Sequence, residues 1–499
     1  MQKLINLFIV IIFAISPILL AAQTSGDQLS WSEKIKGDGM VNLGAGDIYM
    51  VVALEAKVPE ILVLDLQKFH IINRIEKFRP EYQGNKLDFE KGIVFQNQLV
   101  IVANDKSQQY ILRYSIPALT LLETISMGEV TPYIAAANQN GQFFEARIKN
   151  QVPPIQFAVS NNRENLLILF DNSGPERKQK VEYLFQSFNK NFTGSRSSAI
   201  IGINPTVYEP FNLIISDLSK AYILYQKTIE TVGKSTYLFD LMNQKSYQWI
   251  SDMSLISQYM VEENAEIFIG GICYQKGLFK VFTLRFNSIK LQFGEATFNE
   301  INLEKTFEYL DNSEIKKIKK DPYRTPILKF AVDGVRFLEN GRMIMYGEYY
   351  SVVLLPASTM VTIRHETNEI FAIYLNSKGA IDQLSIIPKW HIFSNILSTN
   401  PAWGSYISYV KDDQIHFIFE DSPKNNESLP LKHSATDEFD KQTTAYTVNG
   451  EGVKTRTIWL NNKDRNIYPS PFISLDLGKG NYVIGSQSED GFQFANLKY

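Results

Sequence analysis

Glu348 interrupts an apolar run in Met345-Tyr-Gly-Glu-Tyr-Tyr350, among aromatic rings able to stack on a sugar. A carboxyl group so placed is the pattern of a glycosidase acid or base. That chemistry also needs a second carboxylate, and one of the two with a raised pKa. Asp333, Glu420, Asp421 and Asp476 are candidates to join it, and Tyr349, Tyr350 and Trp403 are candidate sugar-stacking side chains. The competing reading of these acids is structural, because carboxylates at strand ends accept hydrogen bonds from turn N–H groups. The residue pattern favours that reading.

Other chemistry finds little material. The chain carries no G-x-S-x-G, H-E-x-x-H, P-loop or EF-hand loop. None of its five histidines pairs with another at metal-ligand spacing, and Asn461-Asn-Lys-Asp464-Arg-Asn466 is too loose for a calcium loop. His416 alternates with apolar neighbours and reads as a core histidine. His365, between Arg364 and Glu366, reads as part of a solvated polar turn. Cys273, the single cysteine, lies in an apolar strand-like run and reads as a buried inert thiol. No metal and no cofactor are expected, and the reading leans away from an enzyme.

The elements that position these residues follow from composition and pattern. At 499 residues the chain is too long for one ordinary core, so several domains or one large circular architecture is expected. Apolar residues make up 44% and charged residues 21%, which excludes bulk disorder. A net charge of −3 argues against a nucleic-acid binder. One cysteine excludes an internal disulfide framework.

Residues 1–22 read as a secretory signal, with Lys3 as the positive region, Leu4 to Leu20 almost purely apolar, and Ala21-Ala22 at the cleavage point. The alternative is a membrane anchor. The polar stretch Gln23 to Gln28 favours cleavage, and no later run is long enough for a membrane helix.

Residues 23–499 read as one domain built from a repeated unit of a short strand, a polar or glycine turn, and a more apolar strand. It recurs at Val41–Val52, Gly92–Ala103, Ile155–Phe170, Asn212–Tyr225, Ile256–Ile272, Val335–Tyr346, Ser405–Phe419 and Phe472–Gly485. Asn, Asp and Gly at the turns tolerate positive φ, as hairpin turns require. Most units are followed by a second, more polar hairpin, as in Glu60–Leu66 with His70–Ile75. Two hairpins make four antiparallel strands, and repeating them radially makes a β-propeller.

Eight four-stranded blades are expected. Seven is the alternative, because the third and fourth units carry irregular insertions. The eighth unit has only three strands, and Gln28–Ile35, carrying Trp31, is expected to complete it and close the ring. An outer-membrane β-barrel is the rival architecture. Runs apolar on both faces, such as Leu166–Phe170, fit stacked blades better than a wall with a wet lumen. A short helical insertion is expected at 302–321, with Lys316, Lys317, Lys319 and Lys320 at its end. Long loops are expected at 422–442 and 193–210.

Four pieces of the C-terminal half carry a resemblance. They are Glu339-Asn-Gly341 with Tyr346-Gly-Glu-x-Tyr350, Ile370 to Gly379 with Ile387-Pro-Lys389, Gly404-Ser-Tyr with Ile415 to Asp421, and Pro423-Lys-Asn-Asn426. Together they resemble uncharacterised exported propeller-like proteins of Bacteroidota. Leu384 and Trp390 stand where that pattern has a tryptophan and a glutamine. The resemblance implies an envelope location and no established activity.

The expected function is a non-enzymatic interaction scaffold in the bacterial cell envelope. It would sit in the periplasm or on the periplasmic face of the outer membrane, partnered by an envelope or outer-membrane protein and not by nucleic acid. A carbohydrate-binding or glycoside-cleaving propeller is the second expectation. An apolar exposed patch would favour the scaffold, and carboxylates converging on the central funnel the sugar site.

Overall fold

The computed structural model describes residues 26–37, 39–54, 58–105, 107–129, 155–171, 181–201, 212–229, 233–251, 253–276, 278–302, 316, 330–338, 341–356, 361–395, 406–425, 442–460, 467–478, 480–488 and 491–498. The signal-like segment, Trp403, most of the 422–442 loop and all of the expected helical insertion except Asn302 and Lys316 lie outside them.

Eight separate antiparallel sheets follow one another along the chain. Blade 1 is β1 (Met40–Ala45), β2 (Tyr49–Leu54), β3 (Glu60–Asp65) and β4 (Ile71–Ile75). A small hairpin follows, β5 (Glu81–Tyr82) with β6 (Asn85–Lys86). Blade 2 is β7 (Asp88–Phe95), β8 (Gln98–Asn104), β9 (Gln108–Ser115) and β10 (Leu121–Glu129). Blade 3 is β11 (Ile155–Val159), β12 (Asn165–Asp171), β13 (Val181–Asn189) and β14 (Arg196–Ile201). Blade 4 is β15 (Asn212–Ile215), β16 (Ala221–Ile229), β17 (Gly233–Asp240) and β18 (Lys245–Ile250).

Blade 5 is β19 (Ser254–Glu263), β20 (Glu266–Gln275), β21 (Leu278–Asn287) and β22 (Gln292–Phe293), with β23 (Thr297–Glu300) also on β21. Blade 6 is β24 (Phe330–Phe337), β25 (Met343–Pro356), β26 (Val361–Leu375) and β27 (Ile381–Ile387), with β28 (His391–Asn395) also on β26. Blade 7 is β29 (Ile407–Lys411), β30 (Gln414–Asp421), β31 (Gln442–Val448) and β32 (Lys454–Leu460). Blade 8 is β33 (Pro469–Gly478), β34 (Asn481–Ser488) and β35 (Gly491–Lys498).

The chain is thus an eight-bladed β-propeller. The seven-blade alternative fails, because the third and fourth units each complete a sheet. The barrel fails too, because the strands form separate sheets and not one closed wall.

Packing closes the circle. Eight apolar clusters each join one blade to the next, from Val51 and Leu99 between blades 1 and 2 round to Val52 and Phe494 between blades 8 and 1. This sandwiching is why second strands such as β12 are buried on both faces while the outer β4 is mostly exposed. The N-terminal segment supplies the missing outer strand of blade 8. Ser32 N–H donates to Phe494 O at 2.8 Å, and Ile35 exchanges both backbone bonds with Phe492 at 2.8 Å.

The turn residues behave as their chemistry requires. Asp412, Asp413, Asn264 and Gly341 take positive φ at the expected hairpin turns. The turns joining first to second strands also bond to one another. Asn97 donates to Asp47 (2.8 Å), Gln96 to the Arg163 carbonyl (2.6 Å), Asn162 N–H to Asp217 (3.0 Å), and Asp217 N–H to Glu262 (2.7 Å). Arg163 of blade 3 reaches the Asp476 carbonyl of blade 8 at 3.0 Å, and Arg336 of blade 6 pairs with the Asp476 carboxylate at 3.4 Å. This end of the ring is strapped across as well as around.

Two local expectations change. The loop expected at 193–210 contains β14, since Arg196–Ile201 pairs in full with β13. His365 lies in β26, opposite Val352 on one side and Phe393 on the other, and not in a turn. The run Val361-Thr-Ile is β-branched and extends the hairpin past the blade, where β28 joins it as a third strand.

Candidate functional site

Glu348 lies on β25, opposite Ala331 and Ile370, where the register slips before Tyr350. Such slips re-aim side chains. The Glu348 carboxylate is 1% exposed and accepts a hydrogen bond from Lys389 Nζ at 2.7 Å. Lys389 is itself fully buried and donates to the Thr367 carbonyl and hydroxyl at 3.2 Å each. Lys389 follows β27, so the pair ties the blade's second strand to its outer end. An acid that handles substrate must be reachable. This one is committed to an ammonium inside the sheet.

The carboxylates of Asp333, Asp421 and Asp476 are also engaged. Asp333, at a bulge in β24, accepts the Tyr406 hydroxyl at 2.8 Å and so links blade 6 to blade 7. Burial, then the charges of Asp333 and Glu348, push the Tyr406 hydroxyl well above its usual range, so it stays a donor. Asp421 binds Arg456 at 2.7 Å, Asn425 Nδ2 at 2.9 Å and Ser422 N–H at 2.8 Å. The Glu420 backbone carbonyl accepts His391 Nε2–H at 2.5 Å, which fixes that tautomer because a carbonyl cannot donate. Asp476 caps its own turn at Gly478 N–H, 2.8 Å, and holds the strap from Arg336.

The described parts of the four sequence pieces behind the resemblance therefore meet in space. Glu348 finds Lys389, and Tyr346 packs on Tyr406 and Phe417 (ring centres 6.4 and 6.1 Å). Asp421 finds Asn425. The carboxylates do not gather into one acid–base pair. Asp476 belongs to the strapped turn end, away from the Glu348–Lys389 pair in its register along the blades.

Tyr349 packs on the core between blades 5 and 6, and Tyr350 is half-buried. His416 is a core histidine, stacked on Tyr409 at 4.6 Å and bonded to Thr447 at 2.9 Å. Burial, then Lys411, lowers its pKa to about 4. Cys273 is fully buried. Among the described residues no group of three His, Cys, Asp or Glu side chains is placed to hold a metal ion. Sequence reasoning missed the roles of Lys389, His391, Tyr406 and Arg456. The apolar flanks of Lys389, in Ile386-Ile-Pro-Lys-Trp390, were the available signal for a buried cation.

A second site lies on the perimeter, where an open groove of about 670 Å³ separates the outer parts of blades 1 and 2. Val58, Ile75, Phe78, Leu119 and Leu121 supply its apolar lining, and Lys77, Arg79, Glu81 and Lys86 its charged one. Phe78 and Tyr114 are nearly buried and meet edge to face at 5.6 Å, so they form a floor. Asn73 Nδ2 donates to the Pro117 carbonyl at 2.8 Å and holds β4 beside the turn that leads to β10. Both strands expose adjacent apolar pairs, Ile71 with Ile72 and Leu121 with Leu122, each 41–50% exposed.

No protein-family model matches the chain, and no curated protein matches it. Solved structures do. The Dos1 propeller is 9% identical with a TM-score of 0.43, over 94% of this chain and 95% of its own. The polysaccharide lyase Uly1 is 11% identical with a TM-score of 0.35, over 93% of this chain and 100% of its own. A protein of unknown function from Bacteroides caccae is 9% identical with a TM-score of 0.26, over 69% of this chain and 92% of its own. Similarity this low is one of fold and bears on no residue's role.

Proposed function

We propose that the chain is a non-enzymatic propeller scaffold of the bacterial cell envelope that holds a protein partner. The observation that carries this reading is the groove between blades 1 and 2, floored by Phe78 and Tyr114 and edged by the exposed pair Leu121–Leu122. Contiguous exposed apolar surface rimmed by charge is the signature of an interaction site. The ties at Glu348–Lys389 within blade 6 and at Asp333–Tyr406 between blades 6 and 7 support it by giving those carboxylates structural work. Export and a periplasmic position, at the outer membrane, rest on the signal-like segment and on the resemblance of the C-terminal half. Among the described residues no helix is long and apolar enough to cross a membrane.

The test is mild-detergent affinity purification from the native envelope, with the chain tagged after Ala22. Stoichiometric recovery of an outer-membrane protein is expected. Recovery of the chain alone would overturn the reading.

One observation favours sugar binding as a second reading. Asp333 is half-exposed on an innermost strand, beside the neutral Tyr406 hydroxyl. A glycan array with Asp333→Asn beside the wild type checks it. Loss of a glycan signal in the variant supports the sugar site, and no signal in either refutes it.

A further inference from the structure

We propose that the groove between blades 1 and 2 docks an extended acidic peptide segment with an apolar centre. This deepens the scaffold reading and rests on it. The lining is apolar at the floor and cationic at the rim. Lys77, Arg79 and Lys86 are exposed there against one acid, Glu81. Among the described residues none of the three cations is in an ion pair, whereas nearby Arg74 is held by Glu60 at 2.7 Å. Three cations at one groove are a local excess on a chain whose net charge is −3.

The hairpin β5–β6 keeps the rim in place. Gln83 and Gly84 both take positive φ (50° and 81°), as its two-residue turn requires. Glu81 stands opposite Lys86 in the ladder, so both project on one face, and Tyr82 packs on Tyr110 at 5.2 Å to anchor the hairpin to blade 2. Leu87 N–H closes it on the Pro80 carbonyl at 2.8 Å. Burial, then the Glu81 carboxylate, pushes the Tyr114 hydroxyl up to about 12, so it stays a neutral donor at the groove wall.

Geometry decides among occupants. The volume lies within the ~300–1,000 Å³ of ordinary binding clefts, and exposed Leu121 with its neighbour Leu122 forms an apolar strip at its edge. A peptide covers such a strip by laying apolar side chains along it, with its carboxylates meeting the rim. A sugar needs flat exposed aromatic faces, and Phe78 and Tyr114 turn theirs into the core. A second copy related by a two-fold axis would set this cationic rim against itself.

The probe is a fluorescein-labelled nonapeptide, Leu-Phe-Leu flanked by three aspartates on each side, titrated into the whole chain by fluorescence polarisation. The control replaces the aspartates with lysines. The aspartate peptide is expected to bind at least about tenfold tighter, and more weakly as salt rises. Lys77→Glu with Arg79→Glu and Lys86→Glu should abolish the preference. All three positions are exposed, so this variant keeps the core. Leu121→Asp should weaken both peptides while the melting temperature is followed as a check on folding. Equal affinity for the two peptides, or an unchanged preference in the triple variant, would overturn the proposal, as would dextran sulfate binding at this groove without peptide binding. The envelope purification separates the two levels. A partner recovered equally by wild type and triple variant overturns the groove and leaves the scaffold standing. If no partner is recovered, the scaffold reading falls, and the groove proposal falls with it.

Discussion

Lys389 Nζ lies 2.7 Å from Glu348 Oε2, with both side chains shut away from solvent. Two buried charges are tolerable only as a pair, because each alone lacks the solvation it had in water. Lys389→Met is therefore expected to cost about 3–5 kcal/mol in urea unfolding. Adding Glu348→Leu should return most of that loss, with a coupling of at least about 2 kcal/mol in the double-mutant cycle. Additive losses would show that the pair is not the fastener described.

His416 sets an acid limit on stability. Its pKa is about 4 in the fold against 6.5 for the free side chain, chiefly through burial. The unfolded chain therefore binds the proton first. Stability from this group is full above about pH 6.5, declines as pH falls, and is gone below about 4. A shift of this size corresponds to about 3 kcal/mol. Urea midpoints from pH 7 to pH 4 should fall less steeply in His416→Gln than in the wild type.

The ring is closed by a strand from the other end of the chain. Ile35 is 7% exposed and pairs with Phe492. Ile35→Ala should cost about 2–4 kcal/mol through lost packing between blades 8 and 1. It should also loosen the cover on β35, so concentration-dependent self-association is expected by light scattering.

Gly347 stands next to Glu348, opposite Val332 of β24. A Cβ there would overlap the Ala331 carbonyl oxygen and press on the Phe371 ring. Gly347→Ala is expected to lower stability by about 1–3 kcal/mol. A melting temperature equal to wild type would show that β24 can move aside.

The legible parts of this protein are the local ones. Alternation and Asn/Asp/Gly turns marked the hairpins, and positive φ at Asp412, Asp413 and Asn264 confirms the turn chemistry. β14 was hidden because Arg196-Ser-Ser-Ala-Ile-Ile201 begins polar and follows a loop. The hairpin at His365 was hidden because charges interrupt its apolar pattern. The candidate site was legible in only one half of each pair. Glu348 was conspicuous as an acid among apolar residues, but its partner is 41 positions away, and the Tyr406 that meets Asp333 is 73 away.

From the sequence alone came the strand pattern, the eight repeats and the use of the N-terminus to close the last blade. Each depends on hydrophobic period, turn conformation or strand count, which are properties of a few successive residues. Which charges would be buried against which, and where apolar surface would be left uncovered, was settled only when the blades packed. Arg163 and Asp476 are 313 positions apart and meet only because the ring is closed. The groove exists only because β4 and β10 belong to neighbouring blades. Neither relationship has a local signature, because each is set by the spacing of whole sheets.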